Sequence, residues 1–134
     1  MRLIVTALLF VAGLFFAFIG VGFLLNPVSS ATDFAIAASG LHGLSTIRGD
    51  MAAFFLVAGL CMVWGAWKRR GDPLLVSAAL FGIAFTGRLI NLVAEGSYEG
   101  WWVPMLVELL SVVLSLVAWR MLPHRIRPGG IQPA

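Results

Sequence analysis

Apolar residues form four long runs along the chain, with short polar segments between them. The first run carries no charge from Leu3 to Leu25, and about 20 apolar residues are enough for a helix to cross a bilayer. The runs are continuous, whereas a lipid-facing barrel strand would alternate apolar and polar positions. The pattern predicts an all-α protein, a four-transmembrane-helix bundle with spans at about residues 3–25, 46–67, 73–94 and 101–122.

The four spans together predict a single membrane domain over residues 1–122, followed by a disordered cytoplasmic tail at 123–134 that is rich in Pro and Gly. A cleaved signal peptide is the alternative for the first run, but that run exceeds the roughly 7–15 apolar residues typical of such peptides. Small residues within the spans, such as Gly13, Gly59 and the pair Ala78-x-x-x-Gly82, predict close approach of the helix backbones.

Composition agrees with a membrane protein. Hydrophobic residues make up 60% of the chain, charged residues 11%, and the mean hydropathy is +0.99. Soluble domains contain roughly 45–50% apolar and about 25% charged residues. Cys61 is the one cysteine and the chain has two histidines, so the sequence predicts no disulfide, no metal site and no cofactor.

The positive charges predict the orientation, because Lys and Arg near span ends stay on the cytoplasmic side. Seven of them fall at the termini or in the turn between the second and third spans: Arg2, Lys68, Arg69, Arg70, Arg120, Arg125 and Arg127. We therefore expect a multi-pass protein of the bacterial cytoplasmic (inner) membrane with both termini in the cytoplasm. The basic residues form no clustered stripe, which argues against a nucleic-acid partner.

A second group of polar residues falls inside the spans or at their edges, all in the predicted extracytoplasmic half. The group comprises Arg48, Asp50, Arg88, Asn91, Glu95 and Glu108. In the third span Arg88, Asn91 and Glu95 share one helix face, and in the fourth Glu108, Ser111 and Ser115 do the same. Charged residues at this depth usually turn inward and find a partner.

Two interpretations of this cluster stay open. In the first, the charges form a closed ion-pair network that fixes helix register, with Glu108 as the main partner of Arg88, Glu95 or Asp50 as the other candidates, and Arg48 as a second cation. In the second, the cluster lines a pocket, open to the extracytoplasmic face, that binds the head group of a ligand. The segment 26–45 would lie over this end as a lid or interfacial segment.

Several of these positions also form a motif: Arg48-Gly49, Gly59, Gly87-Arg88, Glu95-Gly96 and Glu108. Over about residues 5–122 the chain resembles a bacterial family of small four-helix integral membrane proteins catalogued as a domain of unknown function. The resemblance implies the four-span architecture and the importance of Arg48, Arg88, Glu95 and Glu108. It implies no activity. In that family the acidic-Gly step is often Asp-Gly, whereas here it is Glu95-Gly96.

The sequence contains no HExxH, GxSxG or Walker motif. We therefore favour a binding or accessory protein for a lipid-like or quinone-like ligand over an enzyme. One alternative is a structural subunit that packs through its Gly and Ala faces, as a homo-oligomer or against another membrane protein. The second alternative is a membrane enzyme that uses Glu108 or Glu95 as an acid or base. Expected partners are membrane lipid and a small amphipathic ligand.

Overall fold

A computed structural model describes residues 1–124, and in this range the chain is helical, with no β-strand. The α-helices are α1 (Arg2–Leu25), α2 (Pro27–Asp33), α3 (Gly40–Thr46), α4 (Ala52–Lys68), α5 (Leu74–Glu95) and α6 (Trp102–Met121), and a π-helical turn (Ile47–Met51) joins α3 to α4. In the described part of the chain four helices are long and apolar enough to cross a membrane: α1, the continuous segment Gly40–Lys68, α5 and α6. The all-α four-helix prediction is confirmed.

The second span begins earlier than its sequence pattern indicated. Its helix starts at Gly40 rather than near residue 46, because no proline interrupts the chain between Gly40 and Lys68. At about 1.5 Å per residue this segment is roughly 43 Å long, whereas the hydrocarbon core of a bilayer is about 30 Å thick. Counting about 20 residues back from Lys68 reaches Arg48, so α3 extends beyond the apolar core.

The four spanning helices pack as a ring in which α1 contacts α4, α4 contacts α5, α5 contacts α6, and α6 returns to α1. We call the end where α1 finishes and α6 begins the distal end. Phenylalanines fill the centre between α1, α4 and α5. The ring of Phe16 lies 4.6 Å from that of Phe81, and Phe23 stacks on Phe55 at 5.9 Å. These contacts make one apolar core that runs along the bundle.

Glycine sets the distance between α1 and α4. A Cβ atom added to Gly59 would lie 2.5 Å from the Ala17 nitrogen and 2.6 Å from the Gly13 oxygen, both backbone atoms. The predicted close backbone approach is therefore confirmed for this pair of helices. It is wrong for Gly82, where an added Cβ would come no closer than 4.0 Å to Val112.

The connecting segments cover both ends of the bundle. At the distal end Phe34, which follows α2, packs its ring 5.4 Å from Phe23 and 5.3 Å from Phe55. At the opposite end the N–H of Gly71 donates to the carbonyl of Pro123, and His124 lies 3.3 Å from the Asp72 carboxylate. The first two residues of the predicted tail are thus held against this turn, and its remainder, 125–134, lies outside the described residues.

Candidate functional site

An ion pair joins α5 to α6 within the distal half of the bundle. The Arg88 Nε–H donates to Glu108 Oε1 at 2.7 Å. Arg88 stands seven residues before Glu95, the last residue of α5, and Glu108 stands six residues after Trp102, the first of α6. Both side chains therefore start about 10 Å along the helix axes from the distal end. Antiparallel packing of α5 on α6 puts these opposite charges at one level.

The two partners differ in their exposure. The Arg88 side chain is 37% exposed, whereas that of Glu108 is 10% exposed. The second carboxylate oxygen of Glu108, Oε2, is buried and has no hydrogen-bond partner. A buried acceptor without a donor costs about 1–3 kcal/mol, and more when it is charged. Oε2 is therefore the atom of this site at which a donor from outside the chain would add most stability.

A polar cavity of about 330 Å³ lies on one side of the ion pair, between α5 and the start of α6. Asn91 and Tyr98 line it together with Arg88 and Glu108, and Trp101 stands at the α6 end. Tyr98 also interacts with the Arg88 side chain. Apart from the Arg88–Glu108 ion pair, the polar side chains that line this cavity are uncharged.

An apolar cavity of about 400 Å³ lies on the other side of the pair and is lined by residues of α1, α4, α5 and α6. Ala84, Arg88 and Glu108 line both cavities, so the ion pair forms the boundary between them. Most of the remaining wall is aromatic and comes from α1, α4, α5 and the segment after α2: Phe15, Phe16, Phe34, Phe54, Phe55 and Phe81.

The apolar cavity continues into a groove of about 650 Å³ along the outside of α1 and α6. Phe15, Phe16 and Val107 line both the groove and the apolar cavity. The rest of the groove is walled mainly by Leu and Val side chains of the two helices, together with Ala12 and Ser111. A polar cavity, an ion pair and an aromatic cavity therefore follow one another in the distal half of the protein, and the apolar groove continues from them toward the opposite end.

Of the six residues expected in the cluster, the structure brings three together: Arg88, Asn91 and Glu108. Arg48 and Asp50 lie on the π-helical turn with exposed side chains, and Glu95 is exposed at the last position of α5. Within residues 1–124 none of these three forms an ion pair, and none lines either cavity. Among the described residues, the ion pairs of the first interpretation are thus reduced to the one between Arg88 and Glu108.

The position of the membrane boundary explains the difference. Counted about 20 residues back from Lys68, Arg48 and Asp50 fall near the edge of the apolar core, where water solvates a charge. Glu95 lies at the equivalent edge on α5. Charges at an interface need no protein partner, whereas Arg88 and Glu108 lie deep enough to need one another.

Sequence reasoning missed Tyr98 and the aromatic wall. Tyr98 is the one tyrosine of the chain and lies in the short connection between α5 and α6. This position could have indicated that its side chain lies near the end of α5. The phenylalanines carry no such signal, because ten of them are spread over the apolar runs. Only the packing shows which of their rings face a cavity.

No group of three His, Cys, Asp or Glu side chains within residues 1–124 is arranged to hold a metal ion. The site offers two hydrogen-bonding functions. The guanidinium has five N–H donors, of which the Nε–H serves Glu108, and the carboxylate offers Oε2 as an acceptor. The arrangement can bind a group that carries both a donor and an acceptor.

Comparison with known proteins adds the family. No curated protein and no solved structure matches the chain. A family model described as a domain of unknown function (DUF4345) matches residues 4–119, a range that contains the ion pair and all the residues that line the two cavities. Because this match covers most of the chain, the protein belongs to the DUF4345 family.

Proposed function

We propose that this protein is a multi-pass protein of the bacterial inner membrane that binds a small amphipathic ligand. The ligand's polar head lies at Arg88 and Glu108, and its apolar part lies in the aromatic cavity and the groove between α1 and α6. The observation that carries the proposal is the buried Glu108 Oε2, which has no partner although cavities lie on both sides of its side chain.

The arrangement supports binding better than a purely structural ion pair. A pair that serves only to fix helix register is most stable when packing encloses it and every polar atom is satisfied. Here Arg88 is more than a third exposed and one oxygen of Glu108 has no donor. The polar and apolar cavities meet at the pair, as the head and tail of an amphipathic molecule require.

The proposal includes an orientation with both termini in the cytoplasm, so that the polar cavity opens to the extracytoplasmic face. Cysteine scanning tests it in a chain whose Cys61 is alanine. Exposed Ser97, between α5 and α6, becomes Cys in one variant, and exposed Lys68, at the end of α4, becomes Cys in another. A membrane-impermeant maleimide should label the first in intact cells and the second only after permeabilisation. The reverse pattern contradicts the orientation.

Native mass spectrometry of the full chain, released from bacterial membranes in a mild detergent, tests the binding itself. We expect a small ligand to remain bound to the wild type and to be lost from Ala84→Leu, because Ala84 lines both cavities. The matched control is Ala94→Leu, an exposed alanine on the same helix that lines neither cavity. This control should keep the ligand.

Equal retention in the two variants contradicts a site at the ion pair. A wild type that carries another protein chain and no small molecule also contradicts the proposal, and favours a structural subunit of a larger membrane complex. If the wild type returns a chemically altered form of an added ligand, Glu108 becomes the candidate acid or base, since Glu95 is exposed and lines neither cavity.

A further inference from the structure

We propose that the head group bound at Arg88 and Glu108 is a hydroquinone ring, and that the site prefers the quinol over the quinone. One ring hydroxyl donates to Glu108 Oε2, and a ring oxygen accepts from the Arg88 guanidinium. This inference rests on the proposed function, because it identifies the chemical class of the ligand at the same site.

The hydrogen-bonding groups of the site require a ligand that brings a donor. An ionised carboxylate only accepts, so the buried Oε2 is satisfied by an O–H or N–H of the ligand. The guanidinium only donates, so its remaining N–H groups require an acceptor. A hydroxyl group supplies both functions, and a quinone carbonyl supplies only the second.

Charge and depth favour an uncharged head group. Arg88 and Glu108 balance one another, and the other polar residues that line the polar cavity, Asn91, Tyr98 and Trp101, are neutral. A phosphate or an ammonium would therefore leave a net charge about 10 Å from the distal end of the bundle, where an unpaired charge is unfavourable. Phospholipid head groups lie at the interface, whereas a neutral ring partitions into the apolar layer.

The shape and lining of the apolar cavity favour a ring. Its aromatic side chains present both edges and faces. Phe54 meets Phe81 edge-on at 5.6 Å, and Phe16 lies parallel to Phe55 at 6.2 Å. Aromatic pairs prefer such offset and edge-to-face arrangements, which a further six-membered ring can extend. The cavity volume of about 400 Å³ accommodates a substituted ring, and the apolar groove beside Val107 accommodates a hydrocarbon tail.

Titration calorimetry under argon tests the inference with the full chain in phosphatidylcholine nanodiscs. The probes are decylubiquinol, decylubiquinone and the dimethyl ether of decylubiquinol, which share one tail and differ in their donors. Empty nanodiscs correct for partition into lipid. We expect the wild type to bind the quinol about 10- to 100-fold more tightly than either other probe, as the loss of a hydrogen bond to a charged acceptor implies.

Glu108→Gln should remove this preference or reverse it, because the amide N–H of glutamine donates to a quinone carbonyl. The carboxylate of the wild type repels that carbonyl oxygen. Glu95→Gln is the control, since Glu95 is exposed and lines neither cavity, and it should keep the wild-type preference. The comparison of quinol with its dimethyl ether needs no substitution. It therefore tests the inference even where a variant does not fold.

The outcomes separate the two proposals. Equal affinity for all three probes, or no binding of any of them by a wild type that retains another lipid in native mass spectrometry, overturns the hydroquinone and leaves the amphipathic site standing. A wild type that binds no probe and retains no small molecule overturns both. A quinol preference that survives Glu108→Gln also overturns the inference, because the quinol hydroxyl must then donate to a group other than the Glu108 carboxylate.

Discussion

Breaking the ion pair between Arg88 and Glu108 should have unequal effects, depending on which partner is removed. Arg88→Ala leaves a carboxylate whose side chain is only 10% exposed and whose two oxygens then both lack a partner. Glu108→Ala leaves a guanidinium that is 37% exposed on a long flexible stem. Arginine near a span end can extend its charge toward the interface, whereas a buried glutamate cannot.

The magnitude follows from this asymmetry. Removal of one partner of a buried pair destabilises proteins by about 3–5 kcal/mol, and we expect Arg88→Ala to fall in that range. Glu108→Ala should cost about 1–2 kcal/mol less, because the freed arginine regains water. The double substitution removes both charges, so its cost should be at least about 2 kcal/mol smaller than the sum of the two single effects.

The assay is reversible unfolding in mixed micelles, with the denaturing detergent titrated and helicity followed by circular dichroism. The control cycle combines Arg88→Ala with Glu95→Ala, since exposed Glu95 forms no ion pair within the described residues. This control should be additive to within about 0.5 kcal/mol. The same additivity for Arg88 with Glu108 would refute the coupling, and with it our explanation of the two charges.

Two further pairs of substitutions test packing and hydrogen bonding away from the ion pair. Gly59→Ala should destabilise the bundle by about 1–3 kcal/mol in the same assay, because the added Cβ would lie 2.5 Å from a backbone atom of α1. Gly82→Ala should be neutral or slightly stabilising, because its added Cβ has no neighbour closer than 4.0 Å. Ser115→Ala should also be neutral or stabilising, because the hydroxyl it removes is buried without a partner. Ser77→Ala should cost about 1 kcal/mol, since the Ser77 hydroxyl donates to a backbone carbonyl of α4 at 2.8 Å. A larger loss of stability for Ser115→Ala than for Ser77→Ala would contradict the hydrogen-bond assignment.

The contact between Arg88 and Glu108 could be predicted from the sequence because it depends on two quantities that a single chain displays. One is depth, counted in residues from the span ends, and the other is the sign of the charge. Adjacent antiparallel helices with short connections then bring groups of equal depth together. The same counting placed Arg48 and Asp50 in the first turn of the second span, but it could not show that they stay apart from the pair, because the helix continues back to Gly40 and both side chains are exposed on its π-helical turn.

The sequence left open whether the charged cluster lines a pocket, because cavities depend on distances between helices. Gly13 and Gly82 look alike in the sequence, yet a Cβ added to the first would lie 2.8 Å from backbone atoms of α4, whereas one added to the second would come no closer than 4.0 Å to the Val112 side chain. Likewise, Phe16 and Phe18 are neighbours in one apolar run, but Phe16 is buried at the cavity wall and Phe18 is 76% exposed. Apolar periodicity indicates that a helix spans, and it does not distinguish a lipid-facing ring from one that faces a cavity.

The α1–α4 pair and the α5–α6 pair differ in packing, and this difference explains why an ion pair is useful between α5 and α6. Glycine brings α1 and α4 into backbone contact, whereas α5 has no buried residue beyond Phe81. In the distal half, the hydrogen bond of 2.7 Å from Arg88 Nε to Glu108 Oε1 joins α5 to α6 across this looser packing. Two leucines at these positions would let the helices approach and would close the space that the pair keeps open. A charged contact between loosely packed helices preserves both the cavity and a free acceptor inside it, which a tightly packed apolar contact would remove.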